Sequence, residues 1–258
     1  MEAKLLSSIE KLALSRRDTF KNSKLIYFLR AVLASMFIGF GVIVAFRTGN
    51  FFFVQQSPVA FPIAAITFGA AIILIAYGGG DLFTGDTFYY TYAALRKIMK
   101  WNVVGQMWLY SYIGNIIGAI FFAFLIYMTG LFEGEFANEF LLTIAKNKTQ
   151  FPISHLFFRA ILCNWLVCLA FFLPLGMQGD GPKIFIMMLL VFCFFISGYE
   201  HSIANMCTFA ISYVMKHPDS VTIHGVIRNL IPVTIGNLIG GGGFMAWMYF
   251  YANKAHIE

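Results

Sequence analysis

Two clusters of polar and ionisable residues interrupt apolar runs of this 258-residue chain. One is Gly78-Gly79-Gly80-Asp81-Leu82-Phe83-Thr84-Gly85-Asp86, the other Ser197-Gly198-Tyr199-Glu200-His201-Ser202-Ile203-Ala204-Asn205. His201 is the sharpest single residue, because imidazole titrates closest to physiological pH. Protonated, it attracts an anion, or lends it a proton so that a weak acid crosses as a neutral molecule. Thr84, in the other cluster, offers a hydroxyl to hold the anion or the imidazole. Glu200 and Asp81 read as structural, since carboxylates near a helix break cap N–H groups or form ion pairs. Glu200 next to His201 also sets an acid beside a base, but no nucleophile motif or metal-ligand spacing accompanies them. Neither an enzyme nor a metal or cofactor is expected.

The elements that must position these residues are membrane spans. Each cluster sits where hydropathy places the middle of a transmembrane helix. There the backbone finds no water, so a break survives only inside protein or beside a wet cavity, and ionisable groups mark a permeation path. Paired breaks in corresponding places of two half-chains point to a transport site. Half-helices restarting near Thr84–Thr87 and near Ser202–Asn205 aim two positive ends at the bilayer midplane and favour anions. Leu82, Phe83, Phe194 and Phe195 flank the breaks as packing residues or as constrictions that strip water. Leu82 and Phe194 are the preferred constrictions, although spacing does not separate Phe194 from Phe195. Lys148, just before the fourth span, would raise the local anion concentration at a vestibule mouth.

Composition agrees with a membrane protein. Hydrophobic residues make up 59% and charged ones 12%, against about 25% charged in a soluble domain. Mean hydropathy is +0.75. The net charge of +6 sits at segment ends rather than among stacking aromatics, so no nucleic acid is expected. Apolar segments run roughly over 27–46, 61–77, 103–131, 156–175, 184–196 and 226–251. The second and fifth need the stretches after their breaks to span ~20 residues.

Lys4, Lys11, Arg16, Arg17, Lys21 and Lys24, then Arg96, Lys97 and Lys100, then Lys183 and Lys254, fall on one side. Arg47, Lys216, and Lys146 and Lys148 diluted by Glu133, Glu135 and Glu139 fall on the other. Both termini are therefore expected in the cytoplasm. The first 24 residues carry no signal-peptide pattern. Instead Leu5, Leu6, Ile9, Leu12 and Ala13 recur at helical spacing, suggesting an amphipathic helix on the membrane surface or on a neighbouring subunit. Cys163, Cys168, Cys193 and Cys207 lie within spans and read as small buried apolar residues.

An internal repeat is visible as well. Arg30-Ala31-Val32-Leu33-Ala34-Ser35 resembles Arg159-Ala160-Ile161-Leu162-Cys163-Asn164, and Gly114-Asn115-Ile116-Ile117-Gly118 resembles Gly236-Asn237-Leu238-Ile239-Gly240. Between them Asp81 is set against Glu200, and Asp86 against Asn205. Three spans per half turn the second half over, so residues 25–131 and 154–252 are expected as inverted repeats of one channel domain, 25–252. The expected fold is all-α, with six transmembrane helices and broken second and fifth helices. The Gly-x-x-x-Gly pairs let helices approach closely, while Asn115 and Asn237 each need a partner inside the membrane. The run Gly240-Gly241-Gly242-Gly243 lies in a span and is no nucleotide loop.

The stretches Asp81-Leu82-Phe83-Thr84-Gly85-Asp86-Thr87, Gly198-Tyr199-Glu200-His201-Ser202-Ile203-Ala204-Asn205-Met206 and Leu162-Cys163-Asn164-Trp165-Leu166-Val167-Cys168 resemble signatures of the formate/nitrite transporter family. The resemblance runs from about Leu25 to Tyr251 and leans towards the hydrosulfide-channel branch, with the nitrite-channel branch as its sister. It implies an aquaporin-like six-helix protomer, a homopentamer with one pore per protomer, and small monovalent anions as cargo. It also implies Thr84 and His201 as the central pair, Leu82 and Phe194 as constrictions, and Lys148, Asn164, Glu200, Asn205 and Asn237 in supporting positions. Asn-Pro-Ala motifs are absent from both breaks, against a water or glycerol pore. The leading expectation is a hydrosulfide channel of a bacterial inner membrane. Nitrite or formate as cargo is the alternative, followed by a neutral-solute pore and a membrane enzyme.

Overall fold

The computed structural model describes residues 2–134, 137–215 and 221–253. Glu135, Lys216 and Lys254, used above for orientation, lie outside the described residues. The chain is all-helical. It opens with α1 (Glu2–Asn22), followed by α2 (Lys24–Phe53), α3 (Ala60–Thr67), α4 (Ala70–Gly78), α5 (Phe83–Leu95) and α6 (Trp101–Met128). Then come α7 (Glu139–Gln150), α8 (Ile153–Phe172), α9 (Asp180–Ile196), α10 (Ser202–Val214) and α11 (Ile223–Leu238). The last span continues through a π-helical stretch, Ile239–Trp247, into α12 (Met248–Ala252). Among the described residues five helices are long and apolar enough to cross a membrane: Lys24–Phe53, Ala60–Gly78, Trp101–Met128, Ile153–Gly176 and Ile223–Ala252. Leu25, Phe158 and Phe185 stand more than half exposed, as side chains that face lipid do.

Local chemistry sets the ends. Ser23 caps α2, its hydroxyl accepting from the Ile26 N–H at 3.2 Å, and Thr222 caps α11 through the Gly225 N–H at 3.0 Å. Such caps satisfy N–H groups that a helix start leaves without intrahelical partners. α2 extends well past the 27–46 expected, and the polar residues of its continuation find partners: Arg47 donates to the Leu131 carbonyl at 3.1 Å and Asn50 accepts from the Phe140 N–H at 3.0 Å. α4 and α9 both stop at a glycine in the left-handed region, Gly79 (φ 74°) and Gly198 (φ 67°). A side chain there would be strained by its Cβ.

Close packing of α2 on α6, and of α8 on α11 and the stretch after it, rests on the small residues of the two similar Gly-x-x-x-Gly motifs. A Cβ at Gly118 would collide with the carbonyl oxygen of Val32, and one at Gly240 with that of Ile161. The same clash at matched positions explains both pairs. The amphipathic helix α1 is placed differently from expectation. Leu6, Ile9, Ala13 and Phe20 are buried among Tyr27, Phe88, Tyr89 and Tyr92 of the same chain. Neither a membrane surface nor a neighbouring subunit is needed to cover that apolar stripe, because α5 and α2 already do.

Candidate functional site

The two interruptions are built by one set of hydrogen bonds. After Gly79 the Gly80 N–H returns to the Ile75 carbonyl at 3.2 Å, and after Gly198 the Tyr199 N–H returns to Phe194 at 3.1 Å. The next N–H, of Asp81 or of Glu200, reaches across to the carbonyl of Arg30 (3.1 Å) or Arg159 (3.4 Å). α5 and α10 then restart, and their first N–H groups are accepted by amides from α6 and α11. Phe83 donates to Asn115 Oδ1 at 3.1 Å and Ser202 to Asn237 Oδ1 at 2.8 Å. Asn115 Nδ2 donates to the carbonyls of Ala31 and Asp81, and Asn237 Nδ2 to those of Ala160 and Glu200. The partners that mid-membrane amides require are thus the breaks themselves. α10 starts where the sequence indicated, and α5 one residue earlier.

Thr84 and His201 meet where the half-helices converge, Oγ1 to Nε2 at 2.9 Å, and both are buried. Nδ1 of His201 accepts from the Ala204 N–H at 3.0 Å. A backbone N–H only donates, so the neutral ring carries its proton on Nε2 and donates it to Thr84. Asn164 holds the pair from α8. Its Nδ2 donates to the Thr84 carbonyl (3.0 Å), Thr87 Oγ1 (3.0 Å) and the Asn237 carbonyl (2.6 Å).

Three cavities lie in series through this point. The first is lined by Lys148, Arg159, Glu200, His201, Phe194 and Phe195 on the α7 side. The middle one is lined by Ile38, Phe68, Ile72, Val167, Leu82, Phe194 and His201, with room for about one water-sized species. The third, on the α1 side, is lined by Arg16, Asp86, Tyr89, Leu82, Phe171 and Lys183. Phe194 borders the first and middle cavities, Leu82 the middle and third. Phe195 borders the first cavity only, against Phe61 and Phe68, while Phe83 turns away to pack on Tyr112 at 5.0 Å. The Phe194 ring stacks beside His201, centroids 6.0 Å apart.

The carboxylates at the breaks are ion-paired rather than capping. Glu200 accepts from Lys148 Nζ at 2.8 Å and from Asn205 Nδ2 at 2.6 Å, and Asn205 in turn donates to Asn229 Oδ1 at 2.9 Å. Asp81 is paired with Arg16 and, at 2.9 Å, with Arg30 Nε. Lys148 is therefore no solvated surface charge. It sits near the end of α7, an amphipathic helix whose Phe140, Leu141 and Ala145 are buried and which the apolar-span pattern passed over. Arg16, read from sequence only for topology, also lies 3.3 Å from Asp86. Burial works against its charge, but Asp86 together with Tyr90, Tyr89 and Tyr27 outweighs it and keeps the guanidinium above its ordinary range. Asp86 accepts as well from the Tyr27 hydroxyl, at 3.3 Å. The heptad-like stripe before Arg16 was the available signal for α1 packing; nothing local linked Arg16 to the breaks.

Apolar helices around an in-line series of cavities, with two helix N-termini converging at the middle, define a membrane channel or transporter. The comparisons with known proteins narrow this. The pattern described as formate/nitrite transporter matches residues 7–251. The chain is 59% identical over 253 residues to the Uncharacterized transporter YwcJ of Bacillus subtilis (strain 168), covering 98% of this chain and 99% of that one. Among solved structures, an FNT family ion channel superposes with TM-score 0.89 and 31% identity over 96% of this chain and 98% of that one. A pentameric formate channel with formate bound gives TM-score 0.76 and 25% identity, covering 91% and 99%. This chain belongs to the formate/nitrite transporter family, and it is a transport protein rather than an enzyme.

Proposed function

We propose that the chain forms a channel for small monovalent anions, with hydrosulfide as the physiological cargo. The path runs through each protomer from the α7-side cavity past Phe194, the middle cavity beside His201 and Leu82 to the α1-side cavity, with Thr84 buried behind His201. The observation that carries this reading is the series of three cavities divided by those two side chains. The matched hydrogen bonds support two inverted three-helix repeats of an aquaporin-like protomer, residues 25–131 and 154–252. Similarity to the pentameric, formate-bound channel supports a homopentamer. The bacterial relatives support an inner-membrane location, and the Lys and Arg distribution supports both termini, including residues 1–24, on the cytoplasmic side.

The narrow middle cavity favours passage of the anion together with a proton. An ion that enters a dry, one-molecule space loses its hydration, at a cost of several kcal/mol. A weak acid avoids that cost by taking a proton in one vestibule and releasing it in the other. The cargo's proton comes from vestibule water; His201 stays neutral and serves as an Nε2–H hydrogen-bond donor, because a second ring proton on Nδ1 would remove the cap on Ala204. Hydrosulfide suits this route better than nitrite or formate, since its acid is the weakest of the three and most populated as the neutral form near pH 7. Lys148 draws the anion to the mouth, while Asn164, Glu200, Asn205 and Asn237 fix the geometry around it.

Flux into proteoliposomes under equal gradients of hydrosulfide, nitrite, formate and chloride tests the reading. Hydrosulfide should move fastest, and His201→Phe should change anion preference or pH dependence. Dominant nitrite or formate flux would move the protein to the sister branch, and unchanged flux in His201→Phe at every pH would remove the imidazole from the mechanism.

A further inference from the structure

The correspondence between the halves does not stop at the membrane spans. Each half begins with an amphipathic helix, α1 before α2 and α7 before α8, and each of these packs against the helix that restarts after a break, α1 on α5 and α7 on α10. Each delivers one cation into the interior. α7 gives Lys148 to Glu200; α1 gives Arg16 to Asp81, the residue matched to Glu200. Both cations are largely buried, with side chains 16% exposed, and both line an outer cavity of the path.

The charges around them differ. On the α7 side Lys148 and Arg159 face one carboxylate, Glu200. On the α1 side Asn205 is replaced by its match Asp86, which lines the cavity together with Asp180 and Lys183, while Asp81 lies fully buried just behind against Arg16. Arg30 pairs with Asp81. Among the described residues Arg16 is the cation within ion-pair distance of Asp86. Arg30 offsets Asp81 and Lys183 offsets Asp180, so without Arg16 the charge of Asp86 is left over and the mouth repels the anion the path is built to pass.

We infer that Arg16 is a specificity-determining residue of the anion path, the α1-side counterpart of Lys148, which keeps a doubly acidic mouth electrically open to anions. This rests on the anion-channel reading above. A neutral mouth passes monovalent anions; a negative one excludes them and admits cations, because a focused charge in a low-dielectric funnel controls local ion concentration. α1 is then part of the conducting path rather than a cover over it. The two ideas predict opposite results for loss of the side chain.

The test measures anion flux and the anion-to-cation permeability ratio in proteoliposomes for wild type, Arg16→Lys, Arg16→Gln and the double variant Arg16→Gln/Asp86→Asn. Nitrite, formate and hydrosulfide are used separately as probes. Arg16→Gln should lower anion flux and the permeability ratio by roughly tenfold, with Arg16→Lys retaining most of both. The double variant should recover them, because it removes the unpaired carboxylate together with its cation. Recovery also guards against misfolding, since a variant that merely collapses is not rescued by a second change. Increased flux in Arg16→Gln would overturn the proposal in favour of a plug. Failure of the double variant to recover while it remains a folded oligomer would reduce Arg16 to a packing role. Wild-type vesicles that pass none of the three anions would overturn the underlying channel reading instead, and the proposal with it.

Discussion

At the first break Asp81 faces two guanidiniums, from Arg16 and Arg30; at the second, Glu200 faces one ammonium, from Lys148. The backbone beneath them is the same at both breaks, down to the glycine in the left-handed region and the asparagine that receives the first N–H of the new helix. The difference teaches which parts of such a design are fixed by geometry and which are open to change. Breaking a helix inside a membrane leaves backbone groups that must be paired, and Asn115 and Asn237 meet that need in one way. Neutralising a carboxylate only requires a nearby cation, so its identity and its source helix differ between the halves. A second asymmetry follows one turn later, where Asp86 stands in one half and Asn205 in the other.

The sharpest way to break this comparison is to remove a cation from each side. Lys148→Met leaves Glu200 buried without a charge partner and should cost roughly 3–5 kcal/mol of stability, read from denaturation in detergent. Arg30→Met should cost clearly less, because Arg16 still pairs with Asp81. Equal losses would mean that the two carboxylates are not neutralised independently. The amides come next. Asn115→Leu and Asn237→Leu each orphan a helix-start N–H and take the amide donor from the carbonyl of Asp81 or Glu200, so both should lose on the order of 2–3 kcal/mol. A large gap between them would undo the equivalence of the breaks.

Smaller changes sharpen the picture. A Cβ at Gly241 would overlap Thr87 Oγ1 and come within 2.8 Å of Asn164 Nδ2. Gly241→Ala should therefore cost about 1–3 kcal/mol by overpacking and slow flux by displacing the amide that holds Thr84. Its match in the first half is already an alanine, Ala119, and is buried without conflict. Smallest are Gly79→Ala and Gly198→Ala. Neither Cβ would meet a close atom, so each should lose only ~1–2 kcal/mol from the left-handed backbone alone. Matching melting shifts would confirm that conformation, not packing, selects glycine there.

Much of the architecture was legible in the residue pattern. Long apolar runs mark spans whatever they pack against, and polar interruptions inside them stand out because lipid tolerates so few. The two similar Gly-x-x-x-Gly motifs stood out as well, since Gly118 and Gly240 each face a carbonyl that excludes any side chain. What escaped was carried by amphipathic or long-range features. α7 has no apolar run, and its pairing of Lys148 with Glu200 joins residues that nothing local connects. Arg16 looked like one of several basic residues near a terminus, because a membrane-topology signal and a buried ion-pair donor use the same side chain. Within the π-helical stretch Ile239–Trp247, Gly241 and Gly242 let the last span press against Thr87 and Thr91 of α5, a contact no hydropathy window registers.

The asparagine-held helix starts have a consequence for how the molecule breathes. Irregular segments usually exchange their amide hydrogens readily, since they open without disturbing the rest. Here the Phe83 and Ser202 amides are locked by side chains from α6 and α11 that are themselves tied to α2 and α8. Freeing either amide requires parting whole spans. Deuterium should therefore enter these two positions as slowly as it enters the centre of a continuous helix, and well after the outer turns of α1 and α7 have exchanged.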